Sequence, residues 1–174
     1  MWGTRYVPRD PKKIVDEMES YARKYNVTNF DSQDLTAIVK RSWAIDFCRE
    51  LIDRDLKITW QMPTGTRSEI FDDEISELLF KSGCRLLSFA PETGDIEILR
   101  AVKKQIDLEN LKKAVRVSLG HGFVVSCFFV VGFPDDTRES LRKTMKFIRQ
   151  LAFLGVHDVT VSKFIPYPGS PLFK

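Results

Sequence analysis

The sequence predicts an α/β fold, a partial TIM-like (β/α) barrel of about five parallel strands. Three observations carry that expectation. Apolar positions spaced three or four apart alternate along the chain with short runs rich in β-branched and aromatic residues, as they do when helices alternate with buried strands. Strand-like runs begin near residues 27, 57, 84, 123 and 158 with helical stretches between them, and sequential parallel pairing through right-handed crossovers is the economical way to join them. Residues 123–131 are almost continuously apolar, which suits a central strand covered on both faces. A doubly wound open sheet is the competing arrangement, and both put function at the carboxyl ends of the strands.

Each element has a local reason. Asp10 caps and Pro11 opens a helix over 11–25 with a stripe of Ile14, Val15, Met18, Tyr21, Ala22 and Tyr25, and Asn26 can end it. The strand at 27–30 then delivers Asp31, Ser32, Gln33 and Asp34 to a loop. A second helix shows Ala44, Phe47, Cys48, Leu51 and Ile52, and a strand follows at 57–62. Asp72 and Asp73 favour the positive end of a third helix that turns Ile75, Leu78 and Leu79 inward and stops at Gly83. Strand 84–90 leads through a turn at 91–94 to two short helices, one carrying Ile96, Leu99 and Val102, the other capped by Asp107 and carrying Leu108, Leu111, Ala114 and Val115. Gly120 and Gly122 interrupt the pattern before the central strand, which a turn at 132–137 ends. Thr137 caps a helix with Leu141, Met145, Ile148 and Ala152 on one side, Gly155 closes it, and the last strand, 159–165, runs into proline-rich turn chemistry at 166–171.

Composition excludes several classes. With 43% hydrophobic and 29% charged residues, the 174-residue chain reads as one globular domain over 1–174. A net charge of +3 is too small for a nucleic-acid footprint, and the doublets Lys12-Lys13, Lys103-Lys104 and Lys112-Lys113 read as solvated helix faces. The apolar runs are too short to span a bilayer and the first six residues lack secretory-signal chemistry, so a cytoplasmic setting is expected. Cys48, Cys84 and Cys127 form no C-x-x-C pair and read as buried reduced thiols. No G-x-S-x-G elbow, P-loop or G-x-G-x-x-G turn occurs.

What the strand ends collect is a polar rim: Asp31, Ser32 and Gln33; Thr64 and Arg67; Glu92 and Thr93; Gly132, Asp135 and Asp136; Ser162, Lys163 and Tyr167. Carboxylates and amides there suit ribose hydroxyls or an ammonium group, and a glycine after the central strand lets a flat ring approach the backbone. Taken singly, most of these residues serve equally well as caps and turn formers. His121 and His157 adjoin strand starts, on the opposite edge, where structural roles are expected.

The stretch Gly83-Cys84-Arg85-Leu86-Leu87-Ser88-Phe89-Ala90-Pro91-Glu92-Thr93-Gly94 resembles the G-C-x-x-x-x-x-G-x-E-S-G segment of radical S-adenosylmethionine (SAM) enzymes. Residues 128–137 (Phe-Phe-Val-Val-Gly-Phe-Pro-Asp-Asp-Thr) resemble the family's G-F-P-G-E-T segment, and residues 164–173 its T-P-Y-P-G-T-P-L-Y close. The helix opening at 10–17 and the stretch 60–67 are similar to the cobalamin-binding branch.

The resemblance implies SAM bound beside a 4Fe-4S cluster for 5'-deoxyadenosyl radical chemistry on a small-molecule substrate it does not identify. The family holds that cluster with a C-x3-C-x2-C loop, which this sequence lacks, so no metal ligand is assigned here. Because the family places the loop just upstream of where Met1 stands, the chain reads as a barrel core without its first strand and cluster loop, inactive alone, with cobalamin supplied through another domain. Carried over by position, Glu92 and Thr93 lie near the ribose and amino acid portions of SAM, Val130 and Gly132 against the adenine, and Asp136 where the family has glutamate. Asp31 and Gln33 stand where the family often has an acidic pair for the methionine ammonium, and Arg67 where it often has arginine, either meeting a carboxylate or capping a strand. Two alternatives stay open: a non-catalytic SAM-binding or partner-binding remnant, and an unrelated aldolase or isomerase barrel with Lys163 as Schiff-base lysine. Without a preceding strand, 27–30 would be an exposed edge inviting self-association.

Overall fold

A computed structural model describes residues 7–34 and 38–169 of the chain. In chain order the elements are α1 (Pro11–Tyr25), β1 (Asn29–Asp31), α2 (Arg41–Asp53), β2 (Thr59–Thr66), a single 3-10 turn (Ser68–Ile70), α3 (Asp73–Lys81), β3 (Cys84–Glu92), α4 (Ile96–Ala101), α5 (Leu108–Gly120), β4 (Val124–Val131), α6 (Arg138–Leu154) and β5 (Asp158–Lys163). All strand pairs are parallel and the spatial order is β1-β2-β3-β4-β5. Among the described residues the order never reverses and shows no topological switch point, so the doubly wound alternative falls away in favour of a half-barrel.

The expected caps form. Asp10 accepts the Lys12 N–H at α1, Asp72 that of Ile75 at α3, Asp107 those of Glu109 and Asn110 at α5, and Thr137 that of Ser140 at α6. Asn26 ends α1 and Gly155 ends α6 in the left-handed conformation.

The sheet has two unlike faces. On one, Trp60, Met62, Leu87, Phe89, Val125, Cys127 and Phe129 are buried in a single core with Val15, Met18, Ala44, Phe47, Ile75, Leu79, Leu111, Val115, Phe147 and Leu151 from the helices. Alternation along each strand turns the other residues away from that core. Registered partners on this open face include Asn29 with Thr59, Asp31 with Gln61, Ser88 with Ser126, Phe128 with Thr160 and Val130 with Ser162. Side-chain hydrogen bonds confirm the shared face: Asn29 Nδ2 donates to Thr59 Oγ1 at 2.7 Å and Gln61 Nε2 to Asp31 Oδ1 at 2.5 Å.

Several expectations need correction. Helix α6 buries Ser140, Thr144, Phe147 and Leu151; of the expected stripe only Ile148 packs, half-buried, against the core, while Ala152 is exposed and Leu141 and Met145 remain 37% and 48% exposed. The reason is that Ser140 and Thr144 make hydrogen bonds at the strand ends, which makes their burial tolerable. Tyr21 and Tyr25 of α1 and Ile96 of α4 are exposed. Strand β2 continues past Pro63 and Gly65 because register shifts between Met62 and Thr66 absorb them, and β3 continues to Glu92 through a shift after Phe89. The edge anticipated at 27–30 is β1 at 29–31, and β5 forms a second, longer edge that is mostly exposed.

Gly94, between β3 and α4, marks the tightest packing. A Cβ there would stand 2.7 Å from Phe147 Cβ and 2.9 Å from the Lys143 carbonyl oxygen and Thr144 Cα, all on α6. Gly94→Ala is therefore expected to lower unfolding free energy by about 2 kcal/mol in urea titrations. Gly120→Ala, where a Cβ meets nothing within 4 Å, leaves it unchanged or slightly raised.

Candidate functional site

A cavity of about 400 Å3 opens at the carboxyl ends of β2 and β3, bounded by Thr64 to Glu69, Ala90, Glu92 and the α4–α5 connection from Lys103 to Ile106. Its charges are mixed: Arg67, Lys103 and Lys104 against Glu69 and Glu92. Lys104 Nζ donates to Glu92 Oε1 at 2.8 Å, with the two side chains 39% and 25% exposed. The hydroxyl oxygens of Thr66 and Ser68 are buried without a partner, and both residues line the cavity. Ser76, Ser88 and Ser118 carry unpaired buried hydroxyls elsewhere in the fold, so this feature is not peculiar to the cavity.

Glu92 is held in an unusual backbone. Its φ is +65°, and the Thr93 N–H donates to the Pro91 carbonyl at 2.8 Å, so it is the central residue of a strained three-residue turn. Thr93 next to it is 1% exposed, and its hydroxyl lies 2.8 Å from Thr144 Oγ1 and accepts the Asp95 N–H at 3.2 Å. Its side chain therefore holds the turn from inside. Asp95 is also anchored: burial pushes its carboxyl up, but the Lys143 ammonium at 2.9 Å and the Glu97 N–H outweigh burial and leave its pKa lowered.

The turn after β4 is built around Asp136. One carboxylate oxygen accepts the Gly132 N–H at 2.7 Å and the Phe133 N–H at 3.0 Å, and the other accepts the Ser140 hydroxyl at 2.9 Å. Asp136 thus works on the backbone that shapes the turn, with Gly132 at φ +83° inside it. Both lie outside the cavity that contains Glu92. Val130 and Asp31 are on the open face of the sheet, where Asp31 accepts from Gln61 and, at 3.5 Å, from Gln33. Asp31 and Gln33 also border a second cavity of about 240 Å3, with Phe30, Trp43, Phe47 and Trp60.

Two members of this arrangement carry no local signal in the sequence. Lys104 belongs to a doublet that reads as solvated surface, and Gln61 lies inside a strand; only tertiary pairing reveals either. His121 meets Asp73 at 3.2 Å and His157 Nδ1 accepts the Val125 N–H, both at the amino-terminal edge of the sheet, as expected. Lys163 pairs in register with Val131, one step out of phase with the open-face pair Val130 and Ser162.

The chain's thiols do not fit an iron-sulfur cluster. Cys48 sits in α2, Cys84 at the amino end of β3 and Cys127 within β4, all free and buried. Burial pushes Cys48 from 9.0 to about 11 and Cys127 to about 12, and it raises Cys84 as well, the opposite of what thiolate ligation needs. Among the described residues no group of three or more histidine, cysteine or acidic side chains could hold a metal ion, and no helix is long and apolar enough to cross a membrane.

The model of the family described as "Radical SAM superfamily" matches residues 2–148. The chain belongs to the radical SAM superfamily. That sets aside an unrelated aldolase or isomerase barrel. The radical SAM domain is 31% identical over 169 residues to an anaerobic magnesium-protoporphyrin IX monomethyl ester cyclase of Rubrivivax gelatinosus, covering 97% of this chain and 30% of the relative. It is 25% identical to an uncharacterised methyltransferase of Pyrococcus horikoshii, covering 99% of this chain and 37% of the relative. The chain thus spans about a third of these relatives. Among solved structures, the methyltransferase TsrM of Kitasatospora setae with cobalamin and [4Fe-4S] cluster bound superposes with a TM-score of 0.81 at 22% identity, covering 92% of this chain and 30% of that one.

The buried thiols yield a measurement. At pH 8 a thiol reagent should label the native radical SAM domain at least about a hundredfold more slowly than the urea-unfolded chain. Because unfolding returns Cys48 and Cys127 to 9.0, the stability linked to their protons is complete below that pH and is lost as pH rises toward about 11 and 12.

Proposed function

We propose that this domain is the SAM-binding part of a longer, cobalamin-dependent radical SAM enzyme. The observation that carries the reading is the Glu92–Lys104 pair inside a mixed-charge cavity at the carboxyl ends of β2 and β3. A methionine end is itself a zwitterion. Its ammonium would meet Glu92 and its carboxylate Lys104 and Arg67. Val130 and Gly132 would border the adenine, and Asp31 with Gln33 and Gln61 would present polar atoms to the rest of the ligand from the open face. Thr93 and Asp136 would act by holding the two turns in shape.

Bound beside a reduced 4Fe-4S cluster, SAM supplies the 5'-deoxyadenosyl radical chemistry of the superfamily. The residues of this domain would bind and orient it and would hold no cluster, whose ligands we place outside these 174 residues, so the isolated chain would bind SAM without turning it over. Support for cobalamin in the parent comes from the likeness to TsrM and from the sequence resemblance at 10–17 and 60–67.

Calorimetry on the chain tests this reading. SAM is expected to bind, with Glu92→Gln and Lys104→Met each weakening it about tenfold and Lys163→Met leaving it unchanged. No heat at millimolar SAM, or wild-type affinity in both cavity variants, would overturn it. We further propose that the exposed β5 edge lets the chain associate with itself. Light scattering should show mass rising with concentration, and Val161→Pro, in the middle of β5, should suppress the rise; a monomer at every concentration excludes it.

A further inference from the structure

Glu92 occupies the left-handed region that a non-glycine residue enters at a cost, so something must hold its turn. The restraint comes from α6. Thr144 Oγ1 lies 2.8 Å from the Thr93 hydroxyl and 3.1 Å from the Gly94 N–H that donates to it, and it is 3.0 Å from the Ser140 carbonyl. The donors assign themselves. With its own proton on the Ser140 carbonyl, the Thr144 oxygen accepts from Thr93 and from Gly94, and the Thr93 oxygen accepts in turn from the Asp95 N–H at 3.2 Å. Thr144 is 2% exposed and Thr93 1%, so water cannot replace either partner without opening the contact. Gly94 seats directly on Thr144 and Phe147, which leaves the turn no room to slide.

We infer that Thr144, which does not line the cavity, is a positioning residue for SAM binding: its hydroxyl holds the Thr93–Gly94 backbone so that Glu92 keeps its positive-φ turn and its carboxylate stays beside Lys104. This rests on the reading that Glu92 meets the methionine ammonium. The hydroxyl is the active feature, so serine can substitute for it and valine, of nearly equal shape, cannot.

The test compares Thr144→Val, Thr144→Ser and Leu151→Ala in the full chain, the last removing a fully buried side chain from the same helix away from the turn. NMR backbone shifts of Glu92 report its conformation and calorimetry reports SAM affinity. Thr144→Val should move the Glu92 shifts away from their wild-type values and weaken SAM about tenfold, Thr144→Ser should restore both, and Leu151→Ala should lower the melting temperature while leaving both unchanged. Wild-type Glu92 shifts in Thr144→Val overturn the inference, as does an equal loss of affinity in Leu151→Ala. If the wild-type chain fails to bind SAM, the reading of the cavity falls, and the Glu92 shifts alone decide for or against Thr144.

Discussion

Parallel pairing makes every strand deliver its carboxyl end to one edge, and the chain must leave that edge through turns that regular strand geometry cannot supply. In this domain α6 secures two of those turns with buried hydroxyls. Thr144 takes the turn after β3, and Ser140 takes the turn after β4 by way of Asp136. The arrangement explains why a helix in an apolar core buries serine and threonine ahead of leucine and methionine. A hydroxyl that satisfies a strained turn costs little to bury, whereas the turn left unsatisfied would cost more than a buried methyl group returns. Glu92 and Gly132, both at positive φ, lie in the turns that these contacts restrain.

Much of this architecture was legible from local chemistry. Asp10, Asp72, Asp107 and Thr137 announce helix starts, and Asn26 and Gly155 announce ends, because capping is decided within a few residues. The inner face of α6 was not legible, because hydropathy ranks Leu141 and Met145 above Ser140 and Thr144 and contains nothing about turns that come from elsewhere in the chain. Proline and glycine made β2 and β3 look shorter than they are, since a bulge that accommodates them is set by the neighbouring strand. The site shows the same division. Glu92 stands out in a motif, but its partner Lys104 lies beyond α4 and reads as one of several surface lysines until the fold brings the two together.

Thr93 and Asp136 show how a motif can record shape as well as contact. Both fall in segments that resemble the superfamily's, yet each spends its polar atoms on its own chain: Thr93 on Thr144 and Asp95, Asp136 on Gly132, Phe133 and Ser140. A hydroxyl at the first position and a carboxylate at the second are what those bonds require. Threonine in place of serine keeps the hydroxyl. The shorter aspartate still reaches two backbone N–H groups, because the turn closes directly over it.

The open face of the sheet is largely polar. Asn29, Asp31, Thr59, Gln61, Ser126, Asp158, Thr160 and Ser162 point away from the helices, so this face cannot close into an apolar core of its own. Polar strand residues on a parallel sheet are tolerated where water or a ligand satisfies them, and β4 interrupts the polar surface with Phe128 and Val130, half-buried and side by side with Thr160 and Ser162. A flat apolar ring with a polar rim matches that surface, and a charged amino acid end matches the cavity around Glu92 and Lys104. Glu92 ends β3 and Val130 lies near the end of the neighbouring β4, so one ligand with both chemistries would have to bridge adjacent strands at the carboxyl edge. Adenosine joined to methionine through a sulfonium has that form, and α6, which fastens the turn after each of the two strands, holds both ends of the proposed site in register.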